Sequence, residues 1–317
     1  MRALRVGVIG VGHLGYHHAR NYAALDGVAL VGVVDLDQSR AAKAAHDFGT
    51  AAYRSVSELL EAGIDAASVV VPTTAHAEVT ATLLQAGVDV LVEKPIADTV
   101  AAAEAMVALA AAKERVLQVG HIERFNGAVI ALTQAMQTPR FIECHRLSPY
   151  PSRGDDVSVV LDLMIHDLDI VLALERSEVV SLDAVGVPVF SRSEDIANVR
   201  LRFASGCVAN LTSSRVSLER MRKIRIFGDD AYVSTDYSEQ QVLVYRKRPG
   251  TPPADTSPMA WITIDRLTVE QEEPLKRELA SFVECVKSRR RPVVSGEEGM
   301  RALRLAQDVI AFIREHA

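Results

Sequence analysis

The stretch LDLMIHDLDI, residues 161–170, sets Asp162, His166, Asp167 and Asp169 in one short apolar run. Carboxylates around a histidine suit either a metal site or an acid–base pair, in which a carboxylate orients an imidazole that titrates near neutral pH. On a helix advancing about 100° per residue, Asp162 falls roughly 40° and Asp169 roughly 60° from His166, so the three share a polar face. Leu161, Met164, Ile165, Leu168, Val171 and Leu172 gather opposite, on the side expected to bury. Asp167 stands apart from both groups and reads as a bystander. A metal site would want a further His or Cys in reach, so no metal is expected. That leaves His166 as a general base oriented by Asp162, against the plainer reading of a solvated polar face.

A second chemical signature lies at Gly10-Val11-Gly12-His13-Leu14-Gly15, a full GxGxxG between a β-branched run, LRVGVIG (4–10), and a helical pattern over 13–25. Such glycines allow a tight turn, close approach of the backbone to a pyrophosphate, and close helix–strand packing, with the phosphates on the helix N-terminus. Asp35, twenty residues beyond Gly15, ends the next strand pattern. A carboxylate there accepts the adenosine ribose hydroxyls and repels a 2′-phosphate, which favours NAD over NADP; Arg40 nearby is a mild counter-signal. Ligands of open α/β sheets bind beyond the carboxyl ends of the strands, where Pro72, Thr73, Glu93, Lys94 and His121 fall; His76, early in the next helix, joins these candidate cofactor contacts. The Lys94–Pro95 bond can be cis, which would aim the lysine sharply. His13, His17 and His18 do not read as a metal site, because no carboxylate or cysteine accompanies them.

Strand patterns at 4–10, 28–35, 67–72, 88–95 and 116–120 alternate with helical stretches at 38–47, 55–62, 75–86 and 98–113. That alternation predicts a doubly wound parallel sheet, an α/β Rossmann domain over 1–121. Beyond it come a helix at 124–137, a strand at 140–148, the histidine helix, and strands at 197–203, 207–216, 223–228, 231–237 and 241–246. These predict an α+β domain over 122–317 with an open, mainly antiparallel sheet, one face covered by helices. Helices over 272–289 and 297–316 close it, the second capped by Ser295, and the proline-rich 248–258 is expected to be a loop.

A chain of 317 residues suits about two domains. With 49% hydrophobic residues, 24% charged and a net charge of −6, nucleic acid is not an expected partner. Charges or glycines interrupt every apolar run, and the short N-terminal one lacks a cleavage site, so neither a membrane span nor a signal peptide is expected. Cys144, Cys207 and Cys285 are odd in number and widely spaced, which suits buried thiols in the cytoplasm.

Taken together, GVGHLG, Asp35, Glu93-Lys94-Pro95 and DLMIHD (162–167) resemble the glucose–fructose oxidoreductase/inositol dehydrogenase (Gfo/Idh/MocA) family over essentially the whole chain. The resemblance implies an NAD-binding Rossmann domain, a second domain with an open sheet, a sugar-reacting site lined by Lys94, Asp162 and His166, and a homodimer or homotetramer. HIERFN (121–126), HRLSPY (145–150) and the stretch 193–228 are similar to bacterial members acting at C3 of a nucleotide sugar of the UDP-N-acetylglucosamine type, although Gly127 stands where proline is common. Arg124, Asn126 and Arg146 are then candidate substrate contacts, arginine being suited to a diphosphate; ordinary salt bridges are the alternative. A dehydrogenase of a free polyol, or a non-catalytic NAD-dependent sensor, are the competing functions.

Overall fold

The computed structural model describes residues 2–136, 138–150, 157–251 and 257–316. It divides into two compact units, Met1–Ile122 with Glu273–Leu303, and Glu123–Glu272 with Arg304–Ala317.

In the first unit the chain runs β1 (Leu4–Ile9), α1 (His13–Ala24), β2 (Val28–Val34), α2 (Gln38–Phe48), β3 (Ala51–Tyr53), α3 (Val56–Glu61) and β4 (Ala66–Val69). It continues through α4 (His76–Gln85), β5 (Asp89–Glu93), α5 (Val100–Ala112) and β6 (Leu117–Gly120). The six strands are all parallel, in the order β3-β2-β1-β4-β5-β6. The chain order reverses between β1 and β4, the place where doubly wound sheets bind dinucleotides. Every residue of β4, β5 and β6 is buried, as expected of strands covered on both faces. Helix starts are set by short polar side chains: Asp37 accepts from the Ser39 and Arg40 N–H groups at α2, Ser55 from Glu58 at α3, and Thr99 from Ala102 at α5.

The second unit holds α6 (Gly127–Ala135), β7 (Phe141–Leu147), a π-helical turn (Val160–Met164) and α7 (Ile165–Leu174). The strands β8 (Val179–Val187), β9 (Ile196–Phe203), β10 (Val208–Ser214), β11 (Met221–Phe227), β12 (Ala231–Asp236), β13 (Gln241–Lys247) and β14 (Ile262–Leu267) follow. Their eight-stranded sheet has the order β14-β13-β12-β11-β7-β10-β9-β8. β7 and β10 pair in parallel, and the other neighbours are antiparallel. Burial alternates along β9, with Ala197, Val199, Leu201 and Phe203 facing the core. α6 packs on β12 and β13, and α7 on β7 and β10, so helices cover this face.

Three strands escape the sequence reading: β3 has three residues, while β8 and β14 are edge strands. In β8 the valines Val180, Val185 and Val187 lie on the exposed side while Ala184 and Gly186 lie on the other, so no apolar-in, polar-out alternation marks the strand. Of the proline-rich 248–258 segment, residues 252–256 lie outside the described residues.

The last two helices, α8 (Pro274–Ser288) and α9 (Gly296–Glu315), bring a correction to the boundary at 122. α8 and the first part of α9 belong to the first unit, because Leu275, Leu279, Phe282, Val283 and Val286 fill one hydrophobic cluster with Val6, Val8, Val33 and Leu91. Ser295 caps α9 in a capping box: its N–H donates to Glu298 Oε2 at 2.9 Å, and the Glu298 N–H returns to Ser295 Oγ at 3.5 Å. A fragment of residues 1–122 should therefore fail to unfold cooperatively. In the full chain, Phe282→Ala should cost the first unit roughly 3–5 kcal/mol in urea denaturation.

Candidate active site

The three glycines after β1 have separate duties. Gly10 lies at φ +85°, and a Cβ there would sit 2.5 Å from the Val70 carbonyl oxygen. A Cβ on Gly15 would come within 1.8 Å of the Gly10 oxygen, so this glycine lets α1 lie against the strand. A Cβ on Gly12 would meet nothing within 4 Å. Gly12 is also the N-cap of α1, and no side chain caps the helix there. This cradle fits a pyrophosphate. Asp35 closes one side: its Oδ2 accepts from the Val11 N–H at 2.8 Å and its Oδ1 from the Asp37 N–H at 2.8 Å. A carboxylate has about four lone-pair sites, so acceptor capacity remains for ribose hydroxyls. His13 and Leu14 are exposed at the rim of the same turn.

At the end of β5, Glu93 is buried and Lys94 half-buried, and the Lys94–Pro95 bond is cis. Glu93 Oε2 accepts from the Lys94 N–H at 3.3 Å, and Oε1 lies 3.1 Å from His18 Nε2. This corrects the expectation that no carboxylate accompanies the histidines; 75 residues separate the two, so no local pattern could reveal the contact. A Cβ on Gly120 would come within 2.7 Å of the Glu93 carboxyl, which explains a glycine before His121, itself buried. Pro72 is exposed and Thr73 half-buried after β4. His76 is a second correction. It is 1% exposed, with Nδ1 2.9 Å from the Pro95 oxygen and Nε2 2.9 Å from the Val71 oxygen, so it braces two strand-end loops instead of meeting a cofactor.

In the second unit, Asp162 and His166 are both partly exposed, and His166 Nδ1 is buried. Met164, Ile165, Leu168, Val171 and Leu172 are buried as expected, whereas Leu161 is half-buried. The flanking carboxylates depart from a simple helical wheel. Asp162 sits on the π turn, whose i→i+5 bonding adds a residue to the turn and breaks a uniform angular count. Asp167 is 2% exposed and accepts a fork from Arg146, Nε to Oδ2 and Nη2 to Oδ1, each at 2.9 Å. Asp169, also 2% exposed, takes Arg124 Nη1 at 3.3 Å on Oδ1. Neither is a bystander or a solvated neighbour.

The same geometry corrects two substrate candidates. Arg146 is buried, its Nη1 donates to Glu123 Oε1 at 3.0 Å, and the Tyr237 ring lies 5.8 Å from its guanidinium carbon. Burial alone would lower its pKa, but the Asp167 and Glu123 charges outweigh that and raise it, so the guanidinium stays charged and committed to them. Asn126 caps α6, accepting from the Ala128 N–H at 3.0 Å. Arg124 remains partly exposed. Arg146 and Asn126 are taken up by protein partners, which for Arg146 come from parts of the chain distant in sequence. Among the described residues, no group of three or more His, Cys, Asp or Glu side chains could hold a metal ion.

A Rossmann unit with this phosphate cradle, in a chain whose second unit carries a partly exposed histidine one turn from a carboxylate, defines a dinucleotide-dependent oxidoreductase of two units. Residues 4–121 match the Gfo/Idh/MocA oxidoreductase family with its NAD-binding Rossmann fold, and residues 127–234 match the C-terminal domain of the same family. The UDP-N-acetylglucosamine 3-dehydrogenase of Acidithiobacillus ferrooxidans is 38% identical over 307 residues, spanning 96% of each chain. Its crystal form superposes with a TM-score of 0.92, covering 99% of this chain and 98% of that one. The myo-inositol 2-dehydrogenase of Thermotoga maritima is 28% identical, over 95% of this chain and 94% of its own. The chain belongs to the Gfo/Idh/MocA family.

When bound to this fold, NAD supplies a hydride acceptor. Gly12→Ala should weaken NADH binding by at least about tenfold, read by fluorescence titration, without changing the melting temperature much. Gly15→Ala should instead destabilise the whole first unit. Asp35→Ala should reduce the preference for NAD over NADP, seen as the ratio of kcat/KM for the two cofactors.

Proposed function

We propose that this chain is an NAD-dependent dehydrogenase that oxidises a ring hydroxyl of a nucleotide sugar, at C3 of a UDP-N-acetylglucosamine-type substrate. The observation that carries the reading is the end-to-end likeness to the Acidithiobacillus enzyme, with Lys94, Asp162 and His166 all present. His166 takes the hydroxyl proton. Asp162 orients the imidazole and stabilises its charged form. Lys94 donates a hydrogen bond to the same oxygen as negative charge develops on it, which makes a metal unnecessary. Thr73, Glu93 and His121 border the nicotinamide half of the cofactor, and Arg124 contributes to substrate binding.

The reading extends to assembly and location. The face of the eight-stranded sheet opposite the buried Ile142 and Ile226 carries a run of neighbouring rings, Phe141, Phe227, Tyr232 and Tyr245, with successive centroids 5.7, 4.7 and 4.9 Å apart. Such a surface supports a homodimer or homotetramer. Three buried free cysteines are in keeping with the cytoplasm, and among the described residues no helix is long and apolar enough to cross a membrane.

His166→Asn should leave NAD binding intact and lower kcat by about two to four orders of magnitude; unchanged turnover would remove the catalytic assignment. Activity should survive exhaustive chelation. NADH formation across a panel of UDP-sugars and free polyols tests the substrate, and turnover of polyols alone would favour the inositol-type reading raised by the Thermotoga relative.

A further inference from the structure

Asp195 and Arg215 lie just outside the β9–β10 hairpin, whose register pairs Ile196 with Ser214. The next rung, Arg215 N–H to the Asp195 carbonyl at 2.9 Å, sets their side chains next to each other. Both are buried, at 0% and 1% exposure. Arg215 Nε donates to Asp195 Oδ1 at 2.8 Å, and its Nη2 to Ser191 Oγ and Ser193 Oγ at 2.9 and 3.1 Å. Asp195 Oδ2 accepts from the N–H groups of Val189, Phe190 and Ser191 at 2.8, 2.6 and 2.9 Å. Burial alone would raise this carboxyl's pKa, yet the Ser191 and Phe190 N–H groups together with Arg215 hold it well below the usual carboxylate range.

Two bonds lead from this cluster to the helix of His166. Arg215 Nη1 donates to the Val157 carbonyl at 2.5 Å, and the Glu194 carbonyl accepts from the Val159 N–H at 3.0 Å. Ser158 is thus held on both sides. Its carbonyl accepts the Asp162 N–H at 3.0 Å, and its Oγ accepts the Val160 N–H at 3.2 Å. Asp162 is one hydrogen bond away from a residue whose two neighbours the cluster fixes.

We propose that Asp195 and Arg215 are positioning residues for the reaction: the pair sets the start of the π turn and, through Ser158, the aim of Asp162 on His166. The inference rests on Asp162 and His166 serving as orienting carboxylate and base. A simple fold staple would change how much protein is folded. A positioning pair changes turnover per folded site, and does so through Asp162.

A double-mutant cycle separates the two. Turnover of UDP-N-acetylglucosamine with NAD is measured for the full chain, Arg215→Lys, Asp162→Asn and the double variant, with the folded fraction of the second unit read from native-state hydrogen exchange of its strands. Arg215→Lys should lower kcat per site about tenfold in the parent and less than about twofold in the Asp162→Asn background, because the interaction it acts through is already gone. The acid limb of the kcat–pH profile should also move in Arg215→Lys in the direction seen for Asp162→Asn. Equal losses in both backgrounds, or an unmoved pH profile, would overturn the proposal. If Arg215→Lys does not fold, Ser193→Ala, which removes one Arg215 bond, runs through the same cycle with the same criterion. If Asp162→Asn and His166→Asn leave turnover intact, the catalytic assignment and this proposal fall together, whereas crippled single variants with additive losses remove the positioning role alone.

Discussion

A carboxylate that leaves water needs a cation or several hydrogen-bond donors, and this requirement governs how the helix bearing His166 is held. Asp167 and Asp169 follow the histidine on α7 and both are buried, so the unit must deliver guanidinium groups to them. Arg146 reaches Asp167 from the central strand β7, and Arg124 reaches Asp169 from the turn before α6. Removing one partner from such a pair costs about 3–5 kcal/mol, against about 0–1 for an exposed pair. Replacing a whole buried pair with apolar groups is often neutral, so its value lies in geometry. Leucine contacts alone would let a helix slide; forked bonds to Asp167 fix its rotation and translation together.

The first unit solves its positioning problem by other means. Its cradle depends on where side chains are missing: Gly15 lets α1 touch the backbone at Gly10, and Gly12 leaves space in front of the helix terminus. The strand-end loops are then braced by buried polar side chains, His76 across Val71 and Pro95, and Glu93 between His18 and the Lys94 N–H. Backbone-directed bonds of this kind hold loops that must present other groups to a ligand.

Local signals made much of this legible in the sequence. Alternating strand and helix patterns mark the parallel sheet, and the glycine spacing between a strand and a helix pattern marks the phosphate turn. The apolar side of α7 also emerged correctly, since Met164, Ile165, Leu168 and Val171 follow helical periodicity. Arg146, Asp167, Asn126 and His76 were misread for one shared reason. Whether a polar side chain serves a ligand or the fold depends on its partner, and Arg146 and Asp167 are 21 residues apart while Arg215 and Asp195 are 20. The placement of α8 in the first unit has a similar origin: an amphipathic face states that burial is needed and not which sheet will provide it.

The sequence by itself determined the two sheet types, the dinucleotide cradle, the acidic end of β2, and a histidine with a carboxylate one turn before it. These are set by spacing, backbone freedom and hydrophobic period, which act over a few residues. Tertiary structure alone decided which charges are buried, that the π turn carries Asp162, and that Arg146, Asp167, Asp195 and Arg215 belong to the framework around His166. Desolvation is the physical reason: a charge becomes structural or available only when strands and helices from remote parts of the chain have excluded water from it or left it exposed.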